Sequence, residues 1–166
     1  MLLTIKNLNV HFHNDSAVVK AVENLNMQIS CGEIIGLIGE SGSGKSTIAL
    51  SILNLLPSAG KIVSGEVLFS GKNLSIMPET ELRKIRGKDI AMIFQDPAAY
   101  LNPVIRVGKQ IAEPLIIHTG WPLKKALIKA QTLLSDLGVS DASSRIRNYP
   151  FELSGGQKQR VMIAMA

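Results

Sequence analysis

Gly39-Glu40-Ser41-Gly42-Ser43-Gly44-Lys45-Ser46 is the stretch on which the fold turns. It matches G-x-x-x-x-G-K-[ST], the pattern of a phosphate-binding loop when it joins a strand to a helix. Both flanks fit. Glu33 to Ile38 is a short apolar run with the profile of a buried parallel strand. Lys45 to Leu56 reads as a helix that Pro57 stops. Glycines let the backbone curl so that successive N–H groups point at phosphate oxygens. The helix N-terminus adds a positive dipole end. Lys45 supplies a compact cation for the β- and γ-phosphates, and the Ser46 hydroxyl is the expected ligand of a Mg²⁺ ion that bridges them. The expected ATP site is therefore Gly39, Glu40, Ser41, Gly42, Ser43, Gly44, Lys45, Ser46 and Thr47. A glycine-rich turn is the plain alternative, and the flanking elements speak against it.

Outward from the loop, Leu3 to Phe12 alternates and reads as a strand, followed by a polar loop from His11 to Ser16. Val18 to Ile29 is a second extended stretch with Val19, Ala21, Leu25, Met27 and Ile29 as its buried face. Gly65 to Phe69 is another strand with a turn at Ser70-Gly71, Pro78 to Arg86 a short helix, and Asp89 to Phe94 a second buried strand. Beyond Asp96-Pro97 the chain turns helical. Val107 to His118 fits a helix kinked or broken at Pro114. Leu123, Ala126, Leu127, Ala130, Leu133, Leu134 and Leu137 form an amphipathic stripe closed by Gly138. Short helices are expected over Asp141 to Asn148 and from Gln157 to Ala166. Residues 1–95 then form an α/β nucleotide-binding portion, and residues 96–166 a helical one.

Composition sets the outer limits. The 166 residues suffice for one ordinary domain, and 46% hydrophobic with 19% charged is a globular balance. Aromatics are 4%, so the core rests on aliphatic side chains. The net charge of +5 suits an anionic partner or a solvated basic surface equally. Basic residues are scattered and form no tract of the kind that marks a nucleic-acid arm, so no nucleic-acid partner is expected. Cys31 is the one cysteine, which excludes an internal disulfide and suits a reducing cytoplasm. The first residues lack a secretory signal pattern, and no apolar run approaches the ~20 residues that cross a bilayer. Membrane association is expected to go through a partner.

Two further motifs decide among the many proteins that share such a loop. Gln95 ends the run Asp89 to Phe94, where an amide reaches a metal or an attacking water; a solvated strand end is its bland reading. Leu153-Ser154-Gly155-Gly156-Gln157 opens a helix, so its hydroxyl and exposed N–H groups form a second anion site, with a simple helix cap as the alternative. In this order the motifs resemble those of the ATP-binding subunit of ATP-binding cassette (ABC) transporters. More narrowly, Ile93-Phe94-Gln95-Asp96-Pro97, Leu101-Asn102-Pro103 and Tyr149 to Ala166 resemble the importers of oligopeptides, dipeptides and nickel. Phe151 stands where that branch usually has His.

The resemblance implies an α/β P-loop NTPase cassette: an antiparallel β subdomain, part of a parallel core sheet and an α-helical subdomain. It implies ATP and Mg²⁺ as ligands, Lys45 and Gln95 in catalysis, and Ser46 with Gln95 at the metal. Phe12 would stack on adenine. Ser154, Gly155, Gly156 and Gln157 would contact the γ-phosphate held by a second ATPase subunit, the same or a different chain. Membrane-embedded permease subunits, and through them an extracytoplasmic solute-binding protein, are the implied partners. The place is the cytoplasmic face of a bacterial inner membrane, peripherally. In that family the strand after the signature carries the Mg²⁺-ordering aspartate and the water-polarising glutamate. This sequence stops before that strand, so hydrolysis by these residues alone is expected to be close to absent. A non-transport cassette ATPase of DNA repair or translation, and a non-catalytic remnant, are the alternatives.

Overall fold

The computed structural model describes residues 1–14 and 17–166, which fall into two compact units, Met1–Leu82 and Arg83–Ala166. The sequence reading sets the boundary at 95/96 instead. The difference arises at residues 83–95, where Phe94 stacks on Tyr100 at 3.7 Å and its N–H donates to Met162 Sδ at 3.1 Å.

In the first unit, β1 (Leu3–Asn14), β2 (Ala17–Ile29), β3 (Gly60–Phe69) and β4 (Lys72–Asn73) form one antiparallel sheet in the order β2-β1-β3-β4. β1 continues through His11 to Asn14, where the sequence suggests a loop; pairing of His11, His13 and Asn14 with Lys20, Val18 and Ala17 holds it extended. Asp15 and Ser16 of that expected loop lie outside the described residues. Strict alternation breaks once. Ile5, Leu8 and Val10 are all buried, a step of three and then two, because Asn7 adopts a left-handed φ of 46° and shifts the register. The Asn9 amide donates to the Asn7 carbonyl and to Ser64 Oγ, and the Asn24 N–H donates to Asn9 Oδ1. This bulge also re-aims β2. Val22 becomes its buried residue, while Val19, expected inside, is 52% exposed. Opposite the bulge, Gly65 has φ 94°, and a Cβ there would meet the Asn7 carbonyl oxygen at 2.5 Å. Ser70 and Gly71, both at positive φ, make the two-residue turn between β3 and β4.

α1 (Lys45–Ile52) starts at Lys45 as expected but ends well before Pro57, at a turn in which Asn54 has φ 51°. The two expected parallel strands do not form. Residues 33–40 carry no strand pairing, and Ile34 and Ile38 are each 97% exposed. Over Asp89 to Phe94 only Ile90 pairs, in a single bridge to Arg86. A parallel strand takes its hydrogen bonds wholly from neighbours across the sheet, and the described residues place no strand beside either run.

α2 (Glu79–Ile85) buries Leu82 and Ile85 and leads into the second unit. That unit contains α3 (Pro97–Tyr100), α4 (Val107–Thr119), α5 (Leu123–Asp136), α6 (Ala142–Arg145) and α7 (Gly155–Met165). Its core is Leu101, Val107, Ile111, Ala130, Leu134, Val139, Ala142, Leu153 and Val161. Pro114 sits inside α4 without breaking it; the helix runs to Gly120, whose φ of 69° ends it. In α5 the buried seam is Ala126, Ala130 and Leu134, one residue per turn, while Leu123 of the expected stripe is 46% exposed. Two backbone bonds close α5, Gly138 N–H to Ser135 O and Val139 N–H to Leu134 O, with Gly138 at φ 74°. That pattern satisfies the last carbonyls and buries Val139 on Leu134.

Candidate functional site

The phosphate loop lies in the first unit, ahead of α1. Gly42 and Gly44 have φ of 82° and 88°, the left-handed backbone that lets successive peptide groups turn one way. Gly44 is the N-cap of α1 and contributes no side-chain cap, so the first N–H groups of the helix have no hydroxyl or carboxylate partner there. A Cβ at Gly44 would meet the Ala21 carbonyl oxygen at 2.5 Å, and one at Gly39 would meet Ser43 Oγ at 2.6 Å. Gly44 is thus required by the fold itself, at positive φ against a backbone oxygen, whereas the neighbour of Gly39 is the rotatable Ser43 hydroxyl. The Lys45 ammonium folds over the loop and donates to the carbonyls of Gly39 (2.8 Å) and Glu40 (2.5 Å) and to Ser43 Oγ (3.3 Å). Glu40, Ser41, Gly42, Ser43 and Ser46 are exposed, and Thr47 is half-buried with its carbonyl accepting from Ser51 Oγ. The loop and the flexible lysine form an open concave backbone next to a free helix end, and this geometry fits an anion.

Phe12 shares that unit. Its half-buried ring lies against Gly60, where a Cβ would approach it to 2.9 Å, and its backbone pairs with Val19 and Gly60. One face of the ring therefore has a structural use of its own.

Gln95 and the Leu153–Gln157 signature lie in the second unit. Gln95 is exposed in a bend just after Phe94. Asp96 then caps α3, its carboxylate accepting from the Ala98 N–H at 2.9 Å. Leu153 is buried and anchors the signature in the core. Ser154 is the N-cap of α7: its hydroxyl accepts from the Gln157 N–H, and the Gln157 side chain accepts from the Ser154 N–H at 3.0 Å. Such a reciprocal box fixes the start of the helix. Gly155 and Gly156 are exposed, and an added Cβ at either would meet nothing within 4 Å. Nothing in this chain's own packing calls for glycine there, in contrast to Gly44.

Sequence reading passes over Gln110, which is 4% exposed and hydrogen-bonded through its whole amide to Asn102 and Ile105. Its only signal is a polar residue on the apolar face shared by Val107 and Ile111. Among the described residues there is no group of three or more His, Cys, Asp or Glu that would hold a metal, and no helix is long and apolar enough to cross a membrane.

A left-handed glycine loop, a lysine folded over it and a helix opening behind it define a P-loop nucleotide-binding protein by class. Residues 22–166 match the family model described as ABC transporter, and the chain belongs to that family. It is 47% identical to the probable peptide ABC transporter ATP-binding protein y4tR of Sinorhizobium fredii, over 100% of this chain and 50% of that protein. It is 44% identical to the oligopeptide transport ATP-binding protein OppD of Haemophilus influenzae, over 99% of this chain and 51% of that one. The chain thus spans about half the length of these relatives. Among solved structures, the dimeric bacterial ABC transporter cassette MJ0796 superposes with a TM-score of 0.86 at 29% identity, over 98% of this chain and 68% of that one. The same cassette in a post-hydrolysis state bound to ADP and Pi gives 0.84 at 28% identity, with the same coverage.

Proposed function

We propose that the chain acts as the ATP-binding part of an ABC importer subunit and energises uptake of peptides. The observation that carries this is the loop at Gly39–Thr47 together with the signature cap at Ser154, in a chain 44–47% identical to peptide-transport ATPases. The loop backbone and α1 hold the phosphates, and Lys45 exchanges its two carbonyl acceptors for phosphate oxygens. Ser46, with an exposed hydroxyl in the first turn of α1, fits a Mg²⁺ ion beside the phosphates; Gln95 is separately exposed on the second unit. When bound, the ion neutralises phosphate charge. Phe12 offers the adenine a ring edge and one face. The open Gly155 and Gly156 leave room for a second ATPase subunit's nucleotide to approach the N-terminus of α7, and the exposed helical unit meets permease subunits at the cytoplasmic face of the membrane. Nickel is the second substrate class compatible with these motifs.

Hydrolysis by the 166-residue polypeptide is slow in this reading, because apart from Glu40 the residues assigned to the site (Gly39–Thr47, Gln95 and Ser154–Gln157) carry no carboxylate to act as general base. A steady-state phosphate-release assay, with Lys45→Ala as control, tests this. Turnover indistinguishable from Lys45→Ala is expected; robust Lys45-dependent turnover contradicts it. Affinity purification from detergent-solubilised membranes tests the assignment to transport. Integral permease subunits are the expected companions, and DNA-repair or ribosomal partners would favour the non-transport reading.

A further inference from the structure

The second unit contains a polar clamp that neither nucleotide binding nor simple core packing explains. Gln110, near the start of α4, is buried, yet its amide oxygen and both of its amide N–H groups are hydrogen-bonded. Oε1 accepts from the Asn102 N–H at 2.9 Å, and Nε2 donates to the carbonyls of Asn102 (2.9 Å) and Ile105 (2.7 Å). The loop it grips projects a hydrophobic tip. Pro103 is exposed, Val104 is 78% exposed, and the Val104 N–H is turned back onto Asn102 Oδ1. One turn of helix away, the same start of α4 is tied to the chain that leads into the signature. Val107 N–H donates to the Asn148 carbonyl and Gly108 N–H to the Ile146 carbonyl, both at 2.9 Å. Gly108 is there because nothing larger fits: a Cβ would meet the Ile146 oxygen at 2.6 Å and the Ile146 Cβ at 2.9 Å. Downstream, Tyr149 stacks on Phe151 and lies under the Arg106 guanidinium, and Leu153 anchors in the core just before Ser154.

We propose that Gln110 and Gly108 are positioning residues that lock the exposed Pro103–Ile105 tip to residues 146–148 and thereby set where the Ser154–Gln157 turn stands. A partner that displaces the tip then displaces the signature, because a buried amide with three hydrogen bonds and two direct backbone bonds leave little slack between them. The functional weight of this link rests on the reading of Ser154–Gln157 as a nucleotide contact. The link itself does not, so it is measurable without nucleotide.

The test is amide hydrogen exchange on the 166-residue chain, read at Gln157 and Lys158, whose N–H groups are held by the Ser154 hydroxyl and carbonyl. Gln110→Met keeps length and removes the clamp. Expected is exchange at both amides at least ~10-fold faster, with Ala130 and Leu134 in α5 at wild-type rates. Loosening confined to Asn102–Ile105 overturns the proposal. Should Gln110→Met also release α5, Gln110→Glu decides. Its neutral acid both accepts and donates, whereas its carboxylate only accepts and faces two carbonyl oxygens. Burial beside them favours the neutral form. With one O–H for two carbonyls, the neutral acid keeps part of the clamp, so the variant-to-wild-type exchange ratio at Lys158 is smaller at about pH 5 and rises by about pH 8. A ratio that stays flat with pH overturns the proposal. Failure of ATP binding, in contrast, would leave these exchange results unchanged and count only against the proposed function.

Discussion

At the scale of single residues, glycine has two opposite meanings in this chain. Gly65 sits at φ 94° with backbone atoms at 2.5–2.7 Å from any added Cβ, so Gly65→Ala has to move β1. A loss of about 2 kcal/mol or more is expected, read as a lower urea midpoint; an unchanged midpoint contradicts the bulge geometry. Gly155 opens α7 with empty space around it. Gly155→Ala leaves stability within about 0.5 kcal/mol of wild type, since alanine favours a helix and meets no clash. The phosphate loop was legible because its motif specifies a local backbone shape. The bulge was not, because it is held by hydrogen bonds 15 to 55 positions apart in sequence: the Asn7 N–H donates to Asn26 Oδ1, the Asn24 N–H donates to Asn9 Oδ1, and the Asn9 amide donates to Ser64 Oγ. Gln110 escaped for a similar reason, since helical spacing gives no sign of what a buried amide grips.

Elements divide along the same line. Helices were readable because their hydrogen bonds and caps are close in sequence. α5 follows its apolar period and stops at Gly138, and α7 begins at the Ser154 box. Ser154→Ala removes the hydroxyl acceptor of that box. The change costs about 1 kcal/mol and speeds exchange at the Gln157 N–H; wild-type exchange there would mean that the cap carries no weight. The Glu33–Ile38 and Asp89–Phe94 runs have the composition of buried parallel strands and form no strand, the second making one bridge from Ile90 to Arg86. Apolar composition states what a segment would bury, while pairing depends on a neighbour that the segment does not encode.

For the molecule as a whole, the consequence is an apolar surface on the first unit. Ile34 and Ile38 are almost wholly exposed, close to Ile35 and Leu37, which are partly exposed. Contiguous apolar exposure of this kind drives association. Ile34→Ser combined with Ile38→Ser is expected to lower dye binding and self-association of the chain with its melting temperature unchanged, measured by fluorescence and sedimentation; unchanged association would remove the patch as its cause. The family assignment survives this incomplete sheet because the loop, the antiparallel sheet and the helical unit are all formed. The central claim is that Gly39–Thr47 binds ATP through Lys45. Calorimetric titration of the chain with Mg-ATP, beside Lys45→Ala at equal helical content, tests it most directly. Saturable binding that weakens at least ~10-fold in the variant is the predicted result; no binding, or binding indifferent to Lys45, would contradict it.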